Sequence, residues 1–228
     1  MDWFINMQRF TLLHDGSVQG WQATYMAFHV TAQLGAPLQV FHINPNNDRE
    51  AIALRAAHVE TGGHAAGVTI ESHLLSDYSL DTLKKSITAI DGFFIPQRLI
   101  SDGGTVSLFL NAFSCPLWIV SEETKLDNAA VLVNDPKQDT QLISYVKTLT
   151  NRLQQSLTAL VLDEKFGATL KPEHSDLKWM SLPNFSRETI THALERLQAS
   201  LLFISSLNSP LIEELPGNHV ICPNQDDA

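Results

Sequence analysis

"FTLLHDGSVQGWQATYMAFHVTAQLGAPLQVFHI", residues 10–43, is the stretch that decides the fold. A short apolar run, Phe10–His14, stops on Asp15-Gly16-Ser17; a segment of helical character fills 17–34; a second apolar run, Leu38–Ile43, follows Gly35-Ala36-Pro37. Short apolar runs closed by turn residues suit strands buried on both faces, as in a parallel sheet. Ser17 offers an oxygen to the unpaired N–H groups of a first helical turn, and Gly35 suits the residue that ends the helix. Within the helix Trp21, Tyr25 and Phe28 fall at i, i+4, i+7, the spacing of a core face. Asp15 therefore stands where a strand turns into a helix, and a nucleotide is one ligand that would need an acid there.

The pattern continues outward. "VTIESHLL" (68–75), "GFFIP" (92–96) and "PLWIV" (116–120) read as further strands, with helices over 48–60, 79–89 and 104–113 between them and Ser79 as an N-cap. Strands alternating with helices imply crossover connections and a parallel sheet covered on both faces. Laying residues 9–41 over 129–161 then puts Asp15 on Asp135 and Tyr25 on Tyr145. Further on, "DGFFIP" (91–96) resembles "SLLFIS" (200–205), and "CPLWIV" (115–120) resembles "NHVICP" (218–223). Matches kept in order favour a duplication, with a first unit over 1–121, a short polar linker over 122–128, and a trimmed second unit over 129–228. In the second unit "AVLVN", "TALVLD", "LKWMSLP", "SLLFIS" and "NHVIC" take the strand roles, with helices near 139–156 and 186–198. "EKFGATLKPEHSD" (164–176) has no helical periodicity.

Composition bounds the function. A formal charge of −10, spread over both halves, argues against nucleic acid, whose phosphates demand basic grooves. At 44% hydrophobic residues the chain is ordinary for a soluble globular protein, and no window matches the long apolar run of a membrane helix. "MDWFINMQRF" lacks the basic start and apolar centre of a secretory signal, so a cytoplasmic location is expected. Cys115 and Cys222 form no C-x-x-C pair and read as buried free thiols.

"LLHDGS" before the first helix, "LGAPLQVFHI" after it, and "GGTVSLFLNAFSCPLWIV" (103–120) resemble the universal stress protein family, fairly well over 9–121 and faintly over 129–223. The resemblance implies two tandem Rossmann-like, adenine nucleotide α-hydrolase-like α/β units, each with a mainly parallel five-stranded sheet flanked by helices. It implies an internal pseudo-dimer through the last strands, "PLWIV" and "NHVIC", and a possible homodimer. In many members ATP or another adenine nucleotide lies over the carboxyl ends of the strands. Carried onto this chain, Asp15 and Gly16 would sit by the adenosine, and Phe41 and His42 would flank the base. Gly104, Thr105 and Val106 would present N–H groups and a hydroxyl to phosphates at a helix start.

The departures from the family's pattern bear on that site. Nucleotide-binding members carry Gly-x-x-Gly and, after a fixed interval, Gly-Ser/Thr; here "PQRLISDGGT" (96–105) follows the fourth strand, and the first two glycines are absent. Triphosphate binding needs close backbone approach, which side chains obstruct. Asp102 adds a negative charge beside the expected phosphates, and Arg98 partly offsets it. In the second unit Pro136-Lys137 replaces Gly-Ser after Asp135, and "SSLNSPLIEELPG" (205–217) has no glycine before Gly217.

Other chemistry finds less support. His58, His64 and His73 lack the i, i+4 pairing of a zinc helix. His14 and Asp15, adjacent along a strand, point to opposite faces, which argues against joint acid–base work. Asp15 as a phosphoacceptor lacks the paired acids and the lysine such sites use. No Gly-x-Ser-x-Gly, Walker loop or Gly-x-Gly-x-x-Gly occurs. The expectation is a non-catalytic stress-response or regulatory protein with lost or altered ATP binding, acting through protein partners. Its alternatives are an ATP/AMP sensor using the first unit and a nucleotide-processing enzyme of the same fold group.

Overall fold

The computed structural model describes residues 9–43, 48–75, 79–87, 92–100, 103–121, 126–134, 136–162, 176–206 and 217–223. The chain separates into two compact units, Met1–Glu123 and Thr124–Ala228. In unit 1 the order is β1 (Phe10–His14), α1 (Val18–Leu34), β2 (Leu38–Ile43), α2 (Arg49–Ala65), β3 (Ile70–Leu75), α3 (Leu80–Ser86), β4 (Gly92–Pro96), a 3-10 turn (Gln97–Leu99), α4 (Gly103–Phe113) and β5 (Leu117–Val120). The strands lie parallel in the order β3-β2-β1-β4-β5. The order reverses between β1 and β4, the place where open sheets leave a crevice at their carboxyl ends.

β1, β2 and β4 are buried along their whole length, as inner strands of a sheet covered on both faces are, with Thr11, His14, Gln39 and His42 the polar residues among them. Phe94 packs between Phe10 (ring centroids 5.8 Å) and Trp118 (5.0 Å), while Phe93 meets Phe109 and Phe113 of α4 at 5.4 and 5.2 Å. Burying each such ring contributes about 1.5–3 kcal/mol. Gly92 opens β4 because Phe10 takes its side-chain space: a Cβ there would lie 2.6 Å from the ring.

Unit 2 contains β6 (Asn128–Val133), α5 (Pro136–Arg152), β7 (Ser156–Val161), β8 (Lys178–Ser181), α6 (Arg187–Leu197), β9 (Leu201–Ser205) and β10 (Asn218–Cys222). Its strands are also parallel, in the order β8-β7-β6-β9-β10. The stretch 164–176, without helical periodicity, falls outside the described residues except Asp176, as does most of 205–217.

Several expectations need correction. α2 runs on from residue 60 to Ala65, because Gly62 and Gly63 are contact points and not breakers: a Cβ at Gly63 would lie 2.3 Å from Ile70 Cγ1, and one at Gly62 3.1 Å from the Phe28 ring. α5 starts at Pro136, whose missing N–H costs nothing in a first turn. It stops at Arg152 because Gln154, without being glycine, takes a left-handed φ of 54° while Gln155 N–H bonds Thr150 O at 2.9 Å. Tyr25 is not in the core: it is 55% exposed and Trp21 is half-buried, leaving Phe28 to pack inward, whereas Tyr145 is buried.

Candidate functional site

The first answer to why an acid follows β1 is local. Gly16 takes a φ of 80°, a conformation that favours glycine, and turns the chain so that Asp15 Oδ1 accepts from Ser17 N (3.0 Å) and Ser17 Oγ (2.6 Å). Ser17 Oγ accepts in turn from Gly20 N at 3.0 Å, capping α1. His14 Nδ1 accepts from Gly16 N at 3.0 Å, which places the ring's proton on Nε2. "HDGS" is thus a relay of hydrogen bonds that fixes the strand-to-helix turn.

Two arginines then bear on this turn. Arg98, in the 3-10 turn after β4, places Nε 3.1 Å from Asp15 Oδ2; the aspartate side chain is only 5% exposed and the arginine 56%. Arg98 N–H also donates to Gln19 Oε1 of α1 at 2.9 Å. The loop after β4 is therefore tied to the start of α1 across the point where the strand order reverses. Arg55, from α2, reaches the ends of two strands: its Nη1 donates to His14 O (3.1 Å) and Ile43 O (2.9 Å). Its guanidinium lies against Gly16, where a Cβ would come 2.3 Å from Nη2.

Below Arg55, His14 and His42 sit side by side in register on β1 and β2, fully buried, ring centroids 5.7 Å apart. Trp21 closes over His14 edge-on at 4.6 Å. Burial, the neighbouring His42 and the Arg55 charge push His14 down to about 3; burial, Arg55 and His73 push His42 down to about 4. Both imidazoles are neutral at pH 7. Arg55 itself is lowered by burial, with Asp15 opposing.

The other anticipated site residues are less convergent. Phe41 and His42 are neighbours on β2 and point to opposite faces, Phe41 stacking on His73 at 4.8 Å. Gly104 and Thr105 lie in the first turn of α4, and Val106 is buried. Asp102 and Asp135 lie outside the described residues. His58 and His64 are exposed on α2, and among the described residues no group of three or more His, Cys, Asp or Glu is arranged to hold a metal. In unit 2 the end of β6 is held by the buried Asp139 of α5, whose Oδ2 accepts from Asn134 N at 2.5 Å.

Arg55 is the site residue that motif reading missed. A signal was present: Ile52 and Val59, both buried, share its helix face at i, i+3, i+7, so a lone arginine interrupts an apolar stripe.

No family model matches the chain, and no curated protein does. Solved structures do resemble it. A universal stress protein from Archaeoglobus fulgidus DSM 4304 superposes with a TM-score of 0.70 at 14% identity, over 98% of this chain and 100% of its own. A functionally unknown protein from Pseudomonas aeruginosa PAO1 gives 0.71 at 13%, over 97% and 94%. At these identities the likeness is one of fold: α/β, with a parallel sheet and flanking helices, as in universal stress proteins. Among the described residues no helix is long and apolar enough to cross a membrane.

Proposed function

We propose that the chain is a tandem, universal-stress-protein-like regulatory protein that has lost or altered adenine-nucleotide binding and acts through protein partners without catalysis. The observation that carries this reading is the Asp15–Arg98 contact across the β1–β4 reversal. A nucleotide placed as the resemblance implies, with its adenosine by Asp15 and Gly16, would compete with Arg98 for Asp15 and meet Arg55 over Gly16. His14 and His42, neutral and buried, offer the site no accessible acid or base. Support for duplication comes from the strand orders, β3-β2-β1-β4-β5 and β8-β7-β6-β9-β10, which follow one scheme.

Isothermal titration tests the loss of nucleotide recognition. Adenosine is expected to give no saturable heat, and ATP to bind no more tightly than base-free tripolyphosphate, with or without magnesium. ATP binding tighter than tripolyphosphate, abolished by Asp15→Ala, would instead establish an adenine-nucleotide sensor.

A further inference from the structure

The geometry points to a different use of the same strand ends: Arg55 and Arg98 form a receptor for a small dianion of the phosphate and phosphate-monoester class, with the Asp15 carboxylate as its internal stand-in. The proposal goes beyond the loss of nucleotide recognition and does not depend on it.

Arg55 is the starting point. It is half-buried, yet among the described residues no carboxylate lies within ion-pairing distance of it. Only Nη1 is bonded, to the two strand-end carbonyls; Nε and Nη2 have no hydrogen-bond partner among the described residues. A cation withdrawn from water without a contact counter-ion is unfavourable, and an incoming anion relieves that cost. The carbonyls of His14 and Ile43 hold the fork from one side and Gly16 admits it on the other, so the guanidinium is pre-positioned before a ligand arrives.

Arg98 supplies the second charge. Its closest approach to Asp15 is from Nε, and its side chain is more than half exposed, within reach of solvent or a ligand. Both guanidinium groups bear on the same three residues, His14 to Gly16. Asp15 cannot neutralise both: it pairs with Arg98 and also favours the charged form of Arg55, yet it carries one negative charge against two positive ones. Two guanidinium forks match the paired oxygens and double charge of a phosphate group, and a monocarboxylate would leave one charge uncompensated.

The test uses the full chain at low ionic strength, titrated with inorganic phosphate and with glycerol phosphate, for the native protein and for Arg55→Gln, Arg98→Gln and Asp15→Asn. Native protein is expected to show one saturable site. Arg55→Gln should weaken it about tenfold or more, the effect of losing one charge-assisted contact, and Arg98→Gln should weaken it as well. Asp15→Asn should tighten it, because the internal competitor has lost its charge. Preference for glycerol phosphate would assign the site to monoesters and preference for phosphate to the free ion; both support a dianion receptor. The absence of saturable binding in both native protein and Asp15→Asn would overturn it. So would binding that Arg98→Gln leaves unchanged, a readout that stands even if Arg55→Gln fails to fold.

Discussion

Asp15 illustrates how one side chain serves two structures. Through Oδ1 it orients the Ser17 cap, and through Oδ2 it holds the loop after β4. Both depend on an absence at Gly20, where a Cβ would come 2.5 Å from Asp15 Oδ1 and 3.0 Å from His14 Nδ1. Alanine is favoured over glycine inside a helix by about 1 kcal/mol. Gly20→Ala is nevertheless expected to destabilise by about 1–3 kcal/mol, the cost of overpacking a fixed contact, in a urea titration. A gain in stability would show that the turn relaxes freely. The place of Asp15 was legible in the sequence, because an acid, a glycine and a capping serine after an apolar run leave few alternatives. The arginines beside it were not, since Arg98, its ion-pair partner, and Arg55, bonded to the strand-end carbonyls, arrive from residues distant in the chain, and only the folded sheet brings them to one strand end.

At the scale of elements, α2 shows where local rules lose to packing. The helix expected over 48–60 continues through two adjacent glycines to Ala65, and Phe28 and Ile70 occupy the space that side chains at Gly62 and Gly63 would need. The two positions differ in a way that can be measured. At Gly62 the nearest atom is the edge of the Phe28 ring at 3.1 Å, which can give slightly; at Gly63 it is Ile70 Cγ1 at 2.3 Å, close to a strand backbone. Gly62→Ala is expected to lie within about 1 kcal/mol of native stability, helix propensity offsetting the tight contact. Gly63→Ala should cost about 1–3 kcal/mol. Equal effects in thermal unfolding would sink this account. The start of α5 at Pro136 and its end at a left-handed Gln154 escaped the sequence for a related reason: neither residue is distinctive outside its hydrogen-bonding context.

For the whole molecule, the buried histidines make stability a function of pH. His14, His42 and His219 are held neutral, titrating at about 3, 4 and 4, with burial as the leading cause in each. In the unfolded chain each titrates near 6.5. Above that value neither state carries the proton, and the stability is fully present. As pH falls below 6.5 the unfolded chain takes up protons that the folded chain refuses, so stability declines until the folded-state values are reached. Each group costs about 1.4 kcal/mol per pH unit in that window, or about 2 kcal/mol by pH 5; for His219 that falls on unit 2, while His14 and His42 together remove about 4 kcal/mol from unit 1. That is a large share of the whole stability of a typical domain, about 5–15 kcal/mol. Calorimetry at pH 7, 6 and 5, above most carboxylate titration, should therefore record a steep fall in melting temperature. Replacing His42 with glutamine, which cannot titrate, should flatten the slope for unit 1 by about one half even if it lowers stability at pH 7. A melting temperature that stays level from pH 7 to 5 would mean that the imidazoles reach solvent or a counter-charge, and that Arg55 does not roof a dry pair.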